Sequence, residues 1–164
     1  MENTSINEFL HYYDNIYKRT MKVIELIPED KLEWRPQKGM FSFGDIIRHL
    51  FNLERYMFVE SVLRDKNLYR GHEGQIQGSI TEYASNLHQD GIKLLKSLTD
   101  LDLEKRCKTP DNIEIRRWKW LRAMIEHHVH HRAQLYTYLH MIGIPAPPIF
   151  GLTSEEVRLR SAKP

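Results

Sequence analysis

The sequence predicts an all-α fold, a single-domain four-helix bundle, and three observations carry that prediction. Four segments place apolar residues at the three-and-four spacing of one helical face. Turn formers separate them: Pro28, then Gly71, Gly74 and Gly78, then Pro110, and finally Gly143 with Pro145, Pro147 and Pro148. At 164 residues the chain is one domain long, 1–164, and its only cysteine, Cys107, forms no intrachain disulfide, so the core must hold the fold. Amphipathic helices of this length bury their stripes only against each other.

The first helix opens at Ser5, with Glu8 as capping-box partner, and carries Ile6, Phe9, Leu10, Tyr13, Ile16, Tyr17, Ile24 and Ile27 to a stop at Pro28. The link from Pro28 to Met40 brings Leu32 and Trp34 across one end of the bundle. Ser42 and Asp45 start the second helix, which runs to about Asp65 with the stripe Ile46, Leu50, Leu53 and Met57. Ser79 and Glu82 start the third, with Tyr83, Leu87, Leu94, Leu95 and Leu98. Residues 99–117 read as a long loop or small hairpin. The fourth helix spans about Trp118 to Ile142, and one further helical turn is expected at Thr153 to Glu156. The 66–78 and 99–117 connections are long enough to cross the bundle, so helix order stays open.

Composition narrows the function classes. The chain is 41% hydrophobic and 28% charged, ordinary for a soluble domain. Its 24 basic and 22 acidic residues leave a net charge of +2, too little to indicate a nucleic-acid partner. The basic stretch Arg116, Arg117, Lys119 and Arg122, with Lys105, Arg106 and Lys108 nearby, reads as a solvated helix start. No apolar run approaches the roughly 18 residues of a membrane span. Met1-Glu2-Asn3-Thr4 lacks the layout of a signal peptide, so a cytoplasmic location without a membrane partner is expected.

Nine histidines stand out. On the fourth helix, at about 100° per residue, Trp120, Met124, Leu135, Tyr138 and Ile142 cluster around the direction of His131. His127, one turn earlier, also faces inward. His128 falls at the edge of that face, while His130 and His140 turn outward. Two imidazoles one turn apart on a core face can point at a common centre, a spacing that recurs in helical zinc sites. His49 borders the stripe of the second helix and is the natural third ligand. It shares its strip with Asp45, Asn52 and Tyr56. Asp45 reads equally as a competing ligand, as a partner orienting His49 or as a first-turn acid favoured by the helix dipole. His11, His72 and His88 are expected at the surface.

Three imidazoles leave a coordination position open, as a catalytic metal needs. Such a ligand set suits zinc first, with nickel, iron, copper or manganese as alternatives.

The segment His127-x-x-x-His131-Arg132-Ala133-Gln134, ending at Gly143 and the prolines, resembles the signature of the DinB/YfiT-like metalloprotein superfamily. The family usually has glycine where Ala133 stands. Trp34-Arg35-Pro36 through Ser42, then His49-Leu50, resembles its other landmark, a tryptophan–proline turn leading into helix two and its histidine. The resemblance implies a four-helix bundle, a three-histidine metal site and a homodimer. The family includes metal-dependent S-transferases and a thiol-dependent isomerase that use small thiol cofactors. The expected activity is therefore metal-dependent chemistry on a small molecule, with transfer of a low-molecular-weight thiol ahead of hydrolysis. Asn52, Tyr56 and Gln134 are candidates to position substrate or orient ligands, and Asp45 to accept a proton in a hydrolase. The rival from another class is a non-catalytic, metal-binding module for docking or dimerisation.

Overall fold

A computed structural model describes residues 5–73, 76 and 78–162. The expectations for Met1–Thr4 and Gly74 fall outside these residues. Helix α1 (Ile6–Ile24) begins where Ser5 Oγ accepts the Glu8 N–H at 3.4 Å. The return bond of a full capping box is not made, and the helix ends one turn before Pro28. A 3₁₀ turn (Glu29–Lys31) follows, and Trp34 packs edge-on against Tyr138 and at a tilt against Phe43 at one end of the bundle, as expected.

Helix α2 (Phe43–Leu53) carries the predicted Ser42–Asp45 capping box. It runs without a break through one π turn (Glu54–Phe58) into α3 (Val59–Arg64), which Asp65 ends in the left-handed conformation. The three pieces form the second bundle helix. Helix α4 (Ile80–Leu95) starts at the Ser79–Glu82 capping box. A short α5 (Asp100–Glu104) leads into an antiparallel hairpin, β1 (Arg106–Lys108) and β2 (Glu114–Arg116), where the sequence left loop or hairpin open. Helix α6 (Arg117–Met141) closes the bundle, its end marked by Gly143 at φ +77°. The turn expected at Thr153 extends to a two-turn α7 (Ser154–Ser161).

Two apolar clusters fill the interior. One gathers Phe9, Leu53, Val62, Leu95 and Leu121. The other gathers Ile24, Phe43, Ile46, Leu50 and Leu139. Full burial of each such side chain stabilises the fold by roughly 1.5–3 kcal/mol before chain entropy is charged.

Three expectations for individual faces are corrected. The buried stripe of α4 is Ile80, Ala84, His88, Gly91 and Leu95, so His88 lies in the core and Tyr83 and Leu87 at its margin. His128 is fully buried rather than at an edge, because α6 is covered by α1 as well as by α2. His72 is half-buried against Phe41. His11, His130 and His140 are exposed, as expected. Among the described residues no helix is long and apolar enough to cross a membrane.

Candidate metal centre

Helices α2 and α6 bring the side chains of His49, His127 and His131 together. One nitrogen from each lies within 4.8 Å of the other two. The ring centroids are 5.1 Å apart for His49–His127, 4.9 Å for His49–His131 and 4.5 Å for His127–His131. The four-residue step from His127 to His131 stacks both rings on one face of α6, and the capping box at Ser42 fixes where α2 presents His49.

Two of the other ring nitrogens have their own partners. His49 Nδ1 lies 3.0 Å from the Tyr69 hydroxyl, and His131 Nδ1 lies 3.0 Å from Gln134 Oε1. Gln134 is held in turn, its Nε2 donating to the Tyr138 hydroxyl at 3.2 Å. With Nδ1 of His131 donating to the amide oxygen, its Nε2 is left as a free electron pair, the arrangement that orients ligand histidines. His127 Nε2 faces His49 Nε2 at 3.1 Å, and its buried Nδ1 has no partner.

All three imidazoles are held neutral. Burial is the main cause throughout. It acts with the nearby His72 and His130 to bring His49 to about 4, and with His131 and His49 to bring His127 to about 2. For His131 burial outweighs the opposing Gln134 bond and leaves it at about 4. Three neutral imidazoles, each with one unprotonated nitrogen to offer, form a site for a cation rather than a store of charge.

The other predicted site residues separate into two groups. Asp45 stays at the start of α2. It accepts from Ser42 N–H at 2.9 Å and from Arg48 Nη2 at 2.8 Å, with Arg35 at 3.4 Å. Burial opposes ionisation there, but these bonds outweigh it and hold its pKa below the usual range. It does not join the imidazole cluster. Asn52, one turn after His49, accepts from the Tyr83 hydroxyl at 2.9 Å and donates to the Gly71 carbonyl at 3.4 Å. Asn52 and Tyr56 line an open cavity of about 390 Å³ with Leu68, Arg70, Gly71 and Glu73. Leu68 and Arg70 flank Tyr69 in sequence, while the three clustered histidines are not in this lining. Gln134 contacts His131 directly and serves it as an orienting group.

Sequence reasoning missed a buried polar centre. Glu54, at the π turn, is 1% exposed and accepts from His88 Nδ1 at 2.8 Å and His128 Nε2 at 3.1 Å. The Tyr13 hydroxyl lies 2.7 Å from the same His128 nitrogen. Burial favours the neutral acid, but the bonds from His128 and His88 win and bring Glu54 down to about 2. One side chain from each of the four bundle helices thus meets here. The spacing Ile80-Ala84-His88-Gly91-Leu95 was the available signal: it reads as a buried stripe once alanine, glycine and histidine count as core residues.

Solved structures share this architecture. A DinB-like protein of Bacillus cereus matches at TM-score 0.78 and 17% identity, over 90% of this chain and 99% of that one. YfiT of Bacillus subtilis, described as a probable metal-dependent hydrolase with an unusual four-helix bundle topology, matches at TM-score 0.67 and 14% identity, over 88% and 91%. YjoA, an uncharacterized protein of Bacillus subtilis, is 18% identical over 88% of this chain and 95% of its own length. The sequence model of the DinB family matches residues 1–161, and the chain belongs to that family.

Proposed function

We propose that His49, His127 and His131 hold one divalent metal ion, and that the protein is a metal-dependent enzyme acting on a small molecule, with transfer of a low-molecular-weight thiol ahead of hydrolysis. The observation that carries this reading is the 3.1 Å approach of His49 Nε2 to His127 Nε2. Without an ion, a proton on one of these nitrogens must fill the gap. If His127 supplies it, the buried Nδ1 of that ring is left as a bare acceptor without a donor. A cation that takes one electron pair from each ring removes the need for a proton in that gap, and the His127 proton then sits on Nδ1. Imidazole donors suit zinc foremost, then nickel, iron or manganese.

A divalent ion in such a site supplies acidity to a thiol or water in contact with it, yielding a nucleophile at neutral pH. The chain's own residues do the rest. Gln134 and Tyr69 fix the ring planes of His131 and His49. The cavity lined by Asn52, Tyr56 and Arg70 is the seat assigned to the substrate in this reading. In the transfer reaction the thiol gives its proton to solvent, a carbon–sulfur bond forms and the electrophile's leaving group departs.

Thiol transfer ranks first because a thiol made acidic by the ion needs no general base, and no carboxylate among the described residues joins the three nitrogens as a further ligand. Asp45, the candidate, is committed to Ser42 and Arg48. Hydrolysis is the second reading, supported by the description of YfiT.

Elemental analysis of untagged protein, followed by thiol consumption with a model electrophile, tests the proposal. About one metal per chain, lost in His49→Ala, His127→Ala and His131→Ala together with turnover, is the expected result. Turnover that persists after metal removal would overturn it. Folded, metal-loaded protein inert toward both thiols and ester substrates would leave only a non-catalytic binding module.

A further inference from the structure

The basic stretch that reads in sequence as a solvated helix start is gathered by the fold into a cavity. It holds about 510 Å³, within the size range of small-ligand sites. Three elements line it: β1 contributes Arg106, β2 contributes Glu114, Ile115 and Arg116, and the start of α6 contributes Trp118, Lys119 and Arg122. Four cations therefore surround it, against one lining carboxylate.

The pairing of these charges is unfavourable in the protein alone. In the hairpin register Lys108 stands opposite Glu114, a complementary pair, but Arg106 stands opposite Arg116. Like charges directly across an antiparallel pair destabilise it. Arg116 is partly offset by Glu104 at 3.1 Å, whereas Arg106 reaches only the Glu114 carbonyl at 3.4 Å. Next to them Lys119 and Arg122 both lie over the Trp118 ring, at 5.5 and 5.6 Å from its centroid. Arg122 has Glu126 at 3.3 Å, and Lys119 has no carboxylate partner among the described residues. The first turn of α6 holds no acid and its cap residue, Arg116, makes no side-chain bond to the helix. Cations there oppose the positive end of the helix dipole.

Each of these costs is relieved by an anion seated between the hairpin and the first turns of α6. We infer that this cavity binds a small polyanion of the phosphate class, with Arg106, Arg116, Lys119 and Arg122 as its cationic walls and Trp118 as its apolar floor. The size favours a compact ligand over a nucleic-acid strand, whose binding needs a stripe of charge along a groove. The inference does not depend on the histidine cluster.

The test is an NMR titration of the full chain with inorganic pyrophosphate, following the indole N–H signal of Trp118 assigned through Trp118→Phe. Saturable one-site shifts of that signal are expected, with affinity about tenfold weaker when sodium chloride rises from about 50 to about 200 mM. Arg106→Ala and Lys119→Ala should each weaken binding about fivefold or more, with unchanged circular dichroism, and an Arg122→Gln variant should do likewise. Lys93→Ala and Lys96→Ala, beside a different cavity on α4, should bind as the parent does. Absence of saturation by about 10 mM pyrophosphate would overturn the inference, that being the limit of weak anion contacts. So would binding that leaves Trp118 unmoved, undiminished binding in the Arg106 and Lys119 variants, or tighter binding of a short oligonucleotide than of pyrophosphate.

Discussion

His49 Nε2 on α2 and His127 Nε2 on α6 face each other at 3.1 Å, across 78 residues of sequence, and the stability of the metal-free protein depends on keeping both rings neutral. Their folded pKa values, about 4 and about 2, and that of His131 at about 4, lie below the ordinary value of 6.5. Between the folded and unfolded values the unfolded chain holds more protons, so acid favours unfolding. The histidine contribution is complete above about pH 6.5 and is lost as pH falls, down to about 4 for His49 and His131 and to about 2 for His127. Urea midpoints of metal-free protein should drop between about pH 7 and about pH 4.5, and metal affinity should weaken across the same range as protons compete. A flat profile would show that the three rings are solvated.

Gln134→Leu should leave the fold intact while loosening His131, whose Nδ1 it holds at 3.0 Å. Loss of such an orienting partner costs about 10- to 100-fold in metal affinity. Competition with a chromophoric chelator reads the change, and a Gln134→Glu variant, which keeps an acceptor, should recover part of it.

Glu54→Leu removes the carboxylate that accepts from His88 and His128. Two buried imidazoles lose their acceptor, and a destabilisation of about 3 kcal/mol is expected by chemical denaturation. Tyr13→Phe, which deletes one hydroxyl from the same centre, should cost less, about 1–2 kcal/mol. Equal stability of Glu54→Leu and the parent would mean that the centre is matched by simple apolar packing.

Asp45→Ala separates a structural from a catalytic role. The carboxylate caps α2 and pairs with the buried Arg48. About 1–2 kcal/mol of stability should be lost while metal content stays at the parent's level. A fall in turnover larger than the fall in folded fraction would instead make Asp45 a proton acceptor.

Much of this site was legible because helical geometry is short-ranged. The four-residue step from His127 to His131 and the Ser42–Asp45 cap follow from neighbours in sequence, and both stand in the structure as read. His88 was illegible for the opposite reason. Its polarity suggested the surface, and only Glu54, 34 residues away, makes its burial tolerable. Tyr69 was hidden in the same way, since a loop residue reaches His49 only after the 66–73 segment folds back. The basic residues of β1, β2 and α6 were visible as a run, but their convergence depends on hairpin register.

The π turn at Glu54–Phe58 bears on how the chain can be aligned and shortened. A turn closed by i→i+5 bonds accommodates one residue more than an α turn, so it absorbs a single-residue difference in length without rotating the helices on either side. A relative or a designed deletion lacking one residue at 54–58 can therefore keep the His49 face of α2 and the buried face of α3 in place. Where the residue lost is Glu54 itself, the carboxylate goes with it, and so does the acceptor of His88 and His128. Length at this one turn and the polarity of the bundle's centre are thereby linked, and changes in one set the terms for changes in the other.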